Sequence, residues 1–122
     1  MQELKTQSLL VDFIYQPDSK NRLGDYLKTH LEQPEWTHFH AAIAFVKRSG
    51  VKHIQDSLAK FSKKAAVKIT VGIDMGGTSL EGLKALLKCV NAPNQIWIYH
   101  NETQSTFHPK VYLFKNDKQA EV

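Results

Sequence analysis

Between Thr37 and Val46 the chain reads THFHAAIAFV, and its last six residues are apolar on both alternating faces. A strand of that kind belongs in the middle of a sheet, where neighbours lie on either side. The flanking segments switch period. NRLGDYLKTHLEQ (21–33) sets Leu23, Tyr26, Leu27, His30 and Leu31 at helical spacing, and Pro34 ends it. SGVKHIQDSLAKF (49–61) puts Val51, Ile54, Leu58 and Phe61 on one helical stripe, with Ser49 expected as its cap. AVKITVGID is a β-rich run. TSLEGLKALLKCV is a helix that Thr78 and Glu81 are expected to open as a capping box. QIWIYH and FHPKVYLF read as two further strands, and SLLVDFIY (8–15), closed by the turn signal QPDSKN, reads as an opening strand.

Strands alternating with helices predict an α/β domain on a mixed, mainly parallel sheet flanked by helices on both faces. HPKVYLF and QAEV are expected to pair as an antiparallel hairpin around Lys115–Lys118. The sequence stops as a strand opens, so the expectation is a single domain over 1–122 that is truncated relative to a longer protein.

With 122 residues, 42% of them hydrophobic and 23% charged, the chain can build one core. A net charge of +4 favours an anionic partner, nucleic acid among them. Cys89 is the only cysteine, which excludes an internal disulfide and fits a reducing interior. There is no signal-peptide pattern and no apolar run long enough to span a bilayer, so the expected setting is cytoplasmic, with no membrane partner.

TFHPKVYLF (106–114) carries the chemistry. On a strand, His108, Lys110 and Tyr112 share one face, while Pro109, Val111 and Leu113 share the other. The second set is expected to face the core. Imidazole serves as nucleophile or acid–base near neutral pH, and an ammonium beside it holds phosphate oxygens. The spacing alone also fits an edge strand with a solvated polar face.

FHPKVYLF resembles the first half of the HKD motif of the phospholipase D superfamily, most closely its nuclease branch of restriction enzymes and helicase-linked nucleases. AAIAFVKRSGVKHIQDSL is similar to that branch's strand, Ser-Gly turn and helix, and VKITVGIDMGGTSLEGLKALL to its next strand, loop and helix. The resemblance implies a phosphodiesterase acting on DNA without metal or other cofactor, through a covalent phosphohistidine. It assigns His108 as nucleophile or leaving-group acid and Lys110 as phosphate ligand. The family's Asp, five residues after the Lys, is Lys115 here, and its Gly-Ser-x-Asn segment is not reached. A full site needs two such motifs. The second would come from a missing C-terminal half or from a homodimer partner, and the fragment alone is expected to be inactive.

VGIDMGGTS also resembles the phosphate loop of actin-like superfamily sugar kinases, where the loop closes a hairpin. Here a helix is expected to follow it. Asp74, at a strand's C-terminal end, and His100, beside the H-x-K strand, are expected to border the site. Lys47, with Arg48 and Lys52, forms a basic cluster suited to a phosphate backbone or to a solvated helix start. A non-catalytic nucleic-acid-binding module is the remaining alternative. His38 and His40 share a strand face, but no further ligand accompanies them, so no metal is expected. His30 and His53 are read as surface or boundary residues, Cys89 as core, and Trp36, Trp97 and Tyr99 as packing groups rather than platforms for stacked bases.

Overall fold

The computed structural model describes Val11 and residues 22–90, 95–101 and 106–122. The expected opening strand, 8–15, lies outside the described residues apart from Val11. The elements are α1 (Leu23–Glu32), β1 (His38–Ile43), α2 (Arg48–Lys64), β2 (Ala66–Gly72), a 3-10 turn (Asp74–Gly76), α3 (Leu80–Cys89), β3 (Ile96–Tyr99), β4 (Lys110–Lys115) and β5 (Ala120–Glu121). The sheet order is β3-β2-β1-β4-β5, which puts β1 at the centre as its composition requires.

The pairs β1–β2 and β2–β3 are parallel, while β1–β4 and β4–β5 are antiparallel. The sheet is therefore mixed in equal parts rather than mainly parallel. The cause is β4, which returns beside β1 in the opposite sense instead of extending the β1-β2-β3 series. The hairpin of β4 and β5 is as expected. Asn116 closes its turn by accepting hydrogen bonds at its side-chain oxygen from the Lys118 and Gln119 amides.

Register fixes which side chains share a face. Phe39, Ala41 and Ile43 of β1 align with Val67, Ile69 and Val71 of β2 and with Phe114, Tyr112 and Lys110 of β4. That face meets Leu27 and Leu31 of α1, Val51, Leu58 and Phe61 of α2, and Leu86 and Cys89 of α3 in one core cluster. Phe39 stacks on Phe114 at 4.7 Å between ring centroids and meets Phe61 edge-on at 6.4 Å. Each such fully buried ring contributes about 1.5–3 kcal/mol. Helices were expected on both faces of the sheet. Among the described residues they cover one, because two right-handed crossovers running in the same direction along the sheet place α2 and α3 on the same side.

β4 reverses the expectation for its alternating residues. Tyr112 and Phe114 point to the helices, whereas Val111 is 47% exposed on the far side with Leu113. Both sets are apolar, and the aromatic pair wins the core because Phe39 and Phe61 already line it. His30 is also inside, 7% exposed, stacked on Tyr26 at 4.0 Å and against Phe114 at 5.2 Å. Its ring nitrogens lie 2.9 Å from Tyr26 O and from Glu121 Oε2, which ties α1 to β5. His53 stays exposed beside Asp25. No helix among the described residues is long and apolar enough to cross a membrane.

Candidate functional site

The carboxyl ends of β1, β2 and β3 lie at one edge of the sheet, and β4 begins there because it runs antiparallel to β1. Lys110 pairs with Ile43, the last residue of β1, and the Pro109 carbonyl accepts from the Ala44 amide at 2.8 Å. His108 and Lys110 thus sit just past the end of the core, on the helix side of the sheet. Both are exposed, and Lys110 Nζ lies 3.1 Å from His108 Nδ1 and 3.4 Å from Nε2. A phosphate oxygen is a stronger acceptor for that ammonium than a neutral imidazole nitrogen.

Phe45 forms the wall behind them. Its ring meets His108 edge-on at 5.3 Å, and Lys110 Nζ lies 6.0 Å from its centroid. Phe45 can take this place because Gly77 has no side chain: a Cβ there would overlap its ring. Gly72, at the end of β2, has a related role, since a Cβ would come within 2.8 Å of Ala44 O and 2.9 Å of the Phe107 ring. Phe107 crosses that strand end and stacks on Tyr99 at 4.3 Å, delivering His108 to the same edge. Residue composition gave no sign of Phe45 and Phe107. The signal lay in the glycines, one at the end of β2 and one beside its loop.

Thr78 was expected to cap α3. Instead Ser79 caps it, accepting from the Gly82 amide at 3.0 Å. The Thr78 hydroxyl donates to Gly72 O at 2.6 Å and accepts from the Val46 amide at 3.1 Å, joining the ends of β1 and β2. The cap at the start of α2 also differs. Ser49 lies inside the helix, and Lys47 holds the N-cap position without a side-chain cap bond.

Asp74 and His100 come together, with His100 Nδ1 3.2 Å from Asp74 Oδ1. Asp74 Oδ2 is buried without a hydrogen-bond partner among the described residues. Lys47 joins neither pair. It lines an open, largely apolar cavity of about 500 Å³ between the N-termini of α1 and α2 and the sheet, which Phe45 and Tyr112 also line. Burial there raises the Tyr112 pKa above its ordinary value. The Cys89 thiol is pushed up by burial and by Asp56, and it donates to Ala85 O, as a core residue rather than a nucleophile.

The glycine loop does not close a hairpin: it leads from β2 into α3, and β2 and β3 are parallel. Among the described residues, no three of His, Cys, Asp and Glu converge as metal ligands. No family model matches the chain, and no curated protein or solved structure matches it either.

Proposed function

We propose that this chain supplies one half-site of a phospholipase D-like nuclease that cuts DNA through a phosphohistidine, without a metal. The observation that carries the reading is the convergence of His108 and Lys110, exposed and 3.1 Å apart, at the carboxyl edge of the parallel strands. Ligands of open α/β sheets gather at that edge.

In the proposed reaction an imidazole nitrogen of His108 attacks phosphorus. The N–P bond forms as the P–O bond to the leaving nucleoside breaks, and a second imidazole protonates the departing oxygen. Water then attacks phosphorus, the second imidazole takes its proton, and the N–P bond breaks to restore His108. Lys110 releases the ring and binds the phosphate oxygens as their charge grows. The chain holds a single H-x-K, so the second imidazole comes from another part of the protein or from a second copy. His108 can equally serve as the acid if the partner motif supplies the nucleophile. Asp74 and His100 border the same edge, and in this reading Lys47, which lines the adjoining cavity, steers the backbone.

Nicking of plasmid DNA by the intact protein, in EDTA and with Mg²⁺, tests the reading. Cleavage in EDTA that disappears with His108→Ala is expected. A requirement for Mg²⁺, or DNA binding without cleavage under either condition, overturns it.

A further inference from the structure

The face of the sheet away from the helices has a composition of its own. By register it carries His38, His40 and Ala42 of β1, Ala66, Lys68, Thr70 and Gly72 of β2, Trp97 and Tyr99 of β3, and Val111, Leu113 and Lys115 of β4, so an apolar pair lies between the Lys115 end and the carboxyl edge. None of its strand positions is Asp or Glu; Glu121 of β5 aligns with Phe114 and so lies on the helix side. Trp97 is 50% exposed and Tyr99 is 39% exposed. They were expected to be packing groups, and they are so in part: Tyr99 stacks on Phe107 and Trp97 lies under Lys68, while each ring keeps a substantial exposed surface.

The cations and rings are interleaved. Lys68 Nζ lies 5.6 Å over the Trp97 ring, and the His38 and His40 rings meet edge-on at 6.0 Å. Burial first, and then Lys115, His38 and Lys68, lower the His40 pKa. Trp97 and Tyr99 stand two residues apart on one strand, roughly 6.6 Å. Tyr99 in turn stacks on Phe107, which immediately precedes His108.

We infer that this face binds a single-stranded stretch of nucleic acid, with bases stacked on Trp97 and Tyr99 and phosphates held by Lys68 and Lys115. Double-stranded DNA keeps its bases inside the helix, and an acidic peptide has no use for a pair of spaced aromatic platforms. A single strand uses both features at once. The Tyr99–Phe107 stack then directs that strand toward His108 and Lys110. The inference rests on the nucleic-acid part of the proposed function and is independent of its chemistry.

The test is binding of a short fluorescent oligo(dT) to the intact chain, followed by anisotropy across a salt series, beside plasmid nicking. Trp97→Ala is expected to weaken binding by about tenfold, the cost of one lost base stack. Lys68→Gln with Lys115→Gln is expected to lower the salt slope by about 1.4, at ~0.7 per phosphate contact on a single strand. Lys63→Gln, at the far end of α2, should change neither. Acrylamide should quench Trp97 in the free protein, and oligo(dT) should protect it. Binding that is indifferent to Trp97, Lys68 and Lys115 overturns the inference. So does a Trp97 already shielded without oligo, which would mean that another segment or a second copy covers the face. Nicking that persists in either case would leave the nuclease reading standing while removing this surface from it.

Discussion

The Phe45 ring fills the space where a side chain on Gly77 would stand, and that overlap sets the back wall of the His108–Lys110 site. Gly77 has φ −75°, a conformation open to any residue, so its need for glycine is purely one of space. Gly77→Ala should therefore displace Phe45 and cost about 1–3 kcal/mol of stability, as overpacking does. Gly76 presents the opposite case. Its φ is +65° and nothing lies within 4 Å of a Cβ there. Gly76→Ala should cost about 1–2 kcal/mol through backbone strain alone. Urea denaturation separates the two, because adding Phe45→Ala should rescue Gly77→Ala and leave Gly76→Ala unrescued.

His108→Ala should abolish EDTA-resistant cleavage by the intact protein. Lys110→Ala should cost about 3–4 kcal/mol of transition-state stabilisation, by analogy with a lost oxyanion donor. Both side chains lie outside the core, so thermal melts of the variants should match the parent. Activity that survives His108→Ala would remove the residue from the mechanism.

Ser79→Ala should cost about 1 kcal/mol as a lost helix cap. Thr78→Val should cost about 1–3 kcal/mol, because it leaves the Gly72 carbonyl and the Val46 amide without their side-chain partner. The two are told apart by amide exchange: Thr78→Val should speed exchange at Val46, and Ser79→Ala at Gly82. The reverse pattern would restore Thr78 as the cap.

His40 makes stability depend on pH. Burial first, then Lys115, His38 and Lys68, hold its pKa below 6.5 in the folded chain. The unfolded chain thus takes up the proton first as pH falls. The contribution is fully present above pH 6.5 and is lost as pH drops through 6.5 toward the folded-state value. His40→Gln should flatten the fall in urea midpoint between about pH 7.5 and pH 5.5. An unchanged pH profile in the variant would show that His40 makes no contribution.

Much of this architecture was legible in the sequence. The Leu27 and Leu31 stripe, the Val51–Leu58–Phe61 stripe and the apolar second half of the 37–46 segment each point to one placement, and each takes it, with β1 in the middle of the strand order. The period of two expected for FHPKVYLF does not reach His108, because β4 begins only at Lys110; the two side chains meet through the non-strand residues before it. The orientation of β4 was not legible either, because Val111 and Leu113 are as apolar as Tyr112 and Phe114. Only the rings of Phe39 and Phe61, distant in sequence, decide between them. Thr78 and Ser79 offered two hydroxyls for one cap, and the carbonyl of Gly72 settled the matter by engaging Thr78. Trp97 and Tyr99 were read as packing groups, and a strand's own residues do not say that no helix among the described residues covers their face.

The insertion of β4 beside β1 has a kinetic consequence. Lys110 meets Ile43 only after both crossovers, α2 with β2 and α3 with β3, are behind it in the chain. Closing so long a loop is the slow kind of contact, so the H-x-K strand docks late in folding. During synthesis, β1, β2 and β3 with α2 and α3 between them can assemble first, with the slot beside β1 still vacant. The imidazole of His108 and the ammonium of Lys110 then meet the Phe45 ring only once β4 has emerged and docked, so that pair is assembled after the β1–β2–β3 part of the sheet.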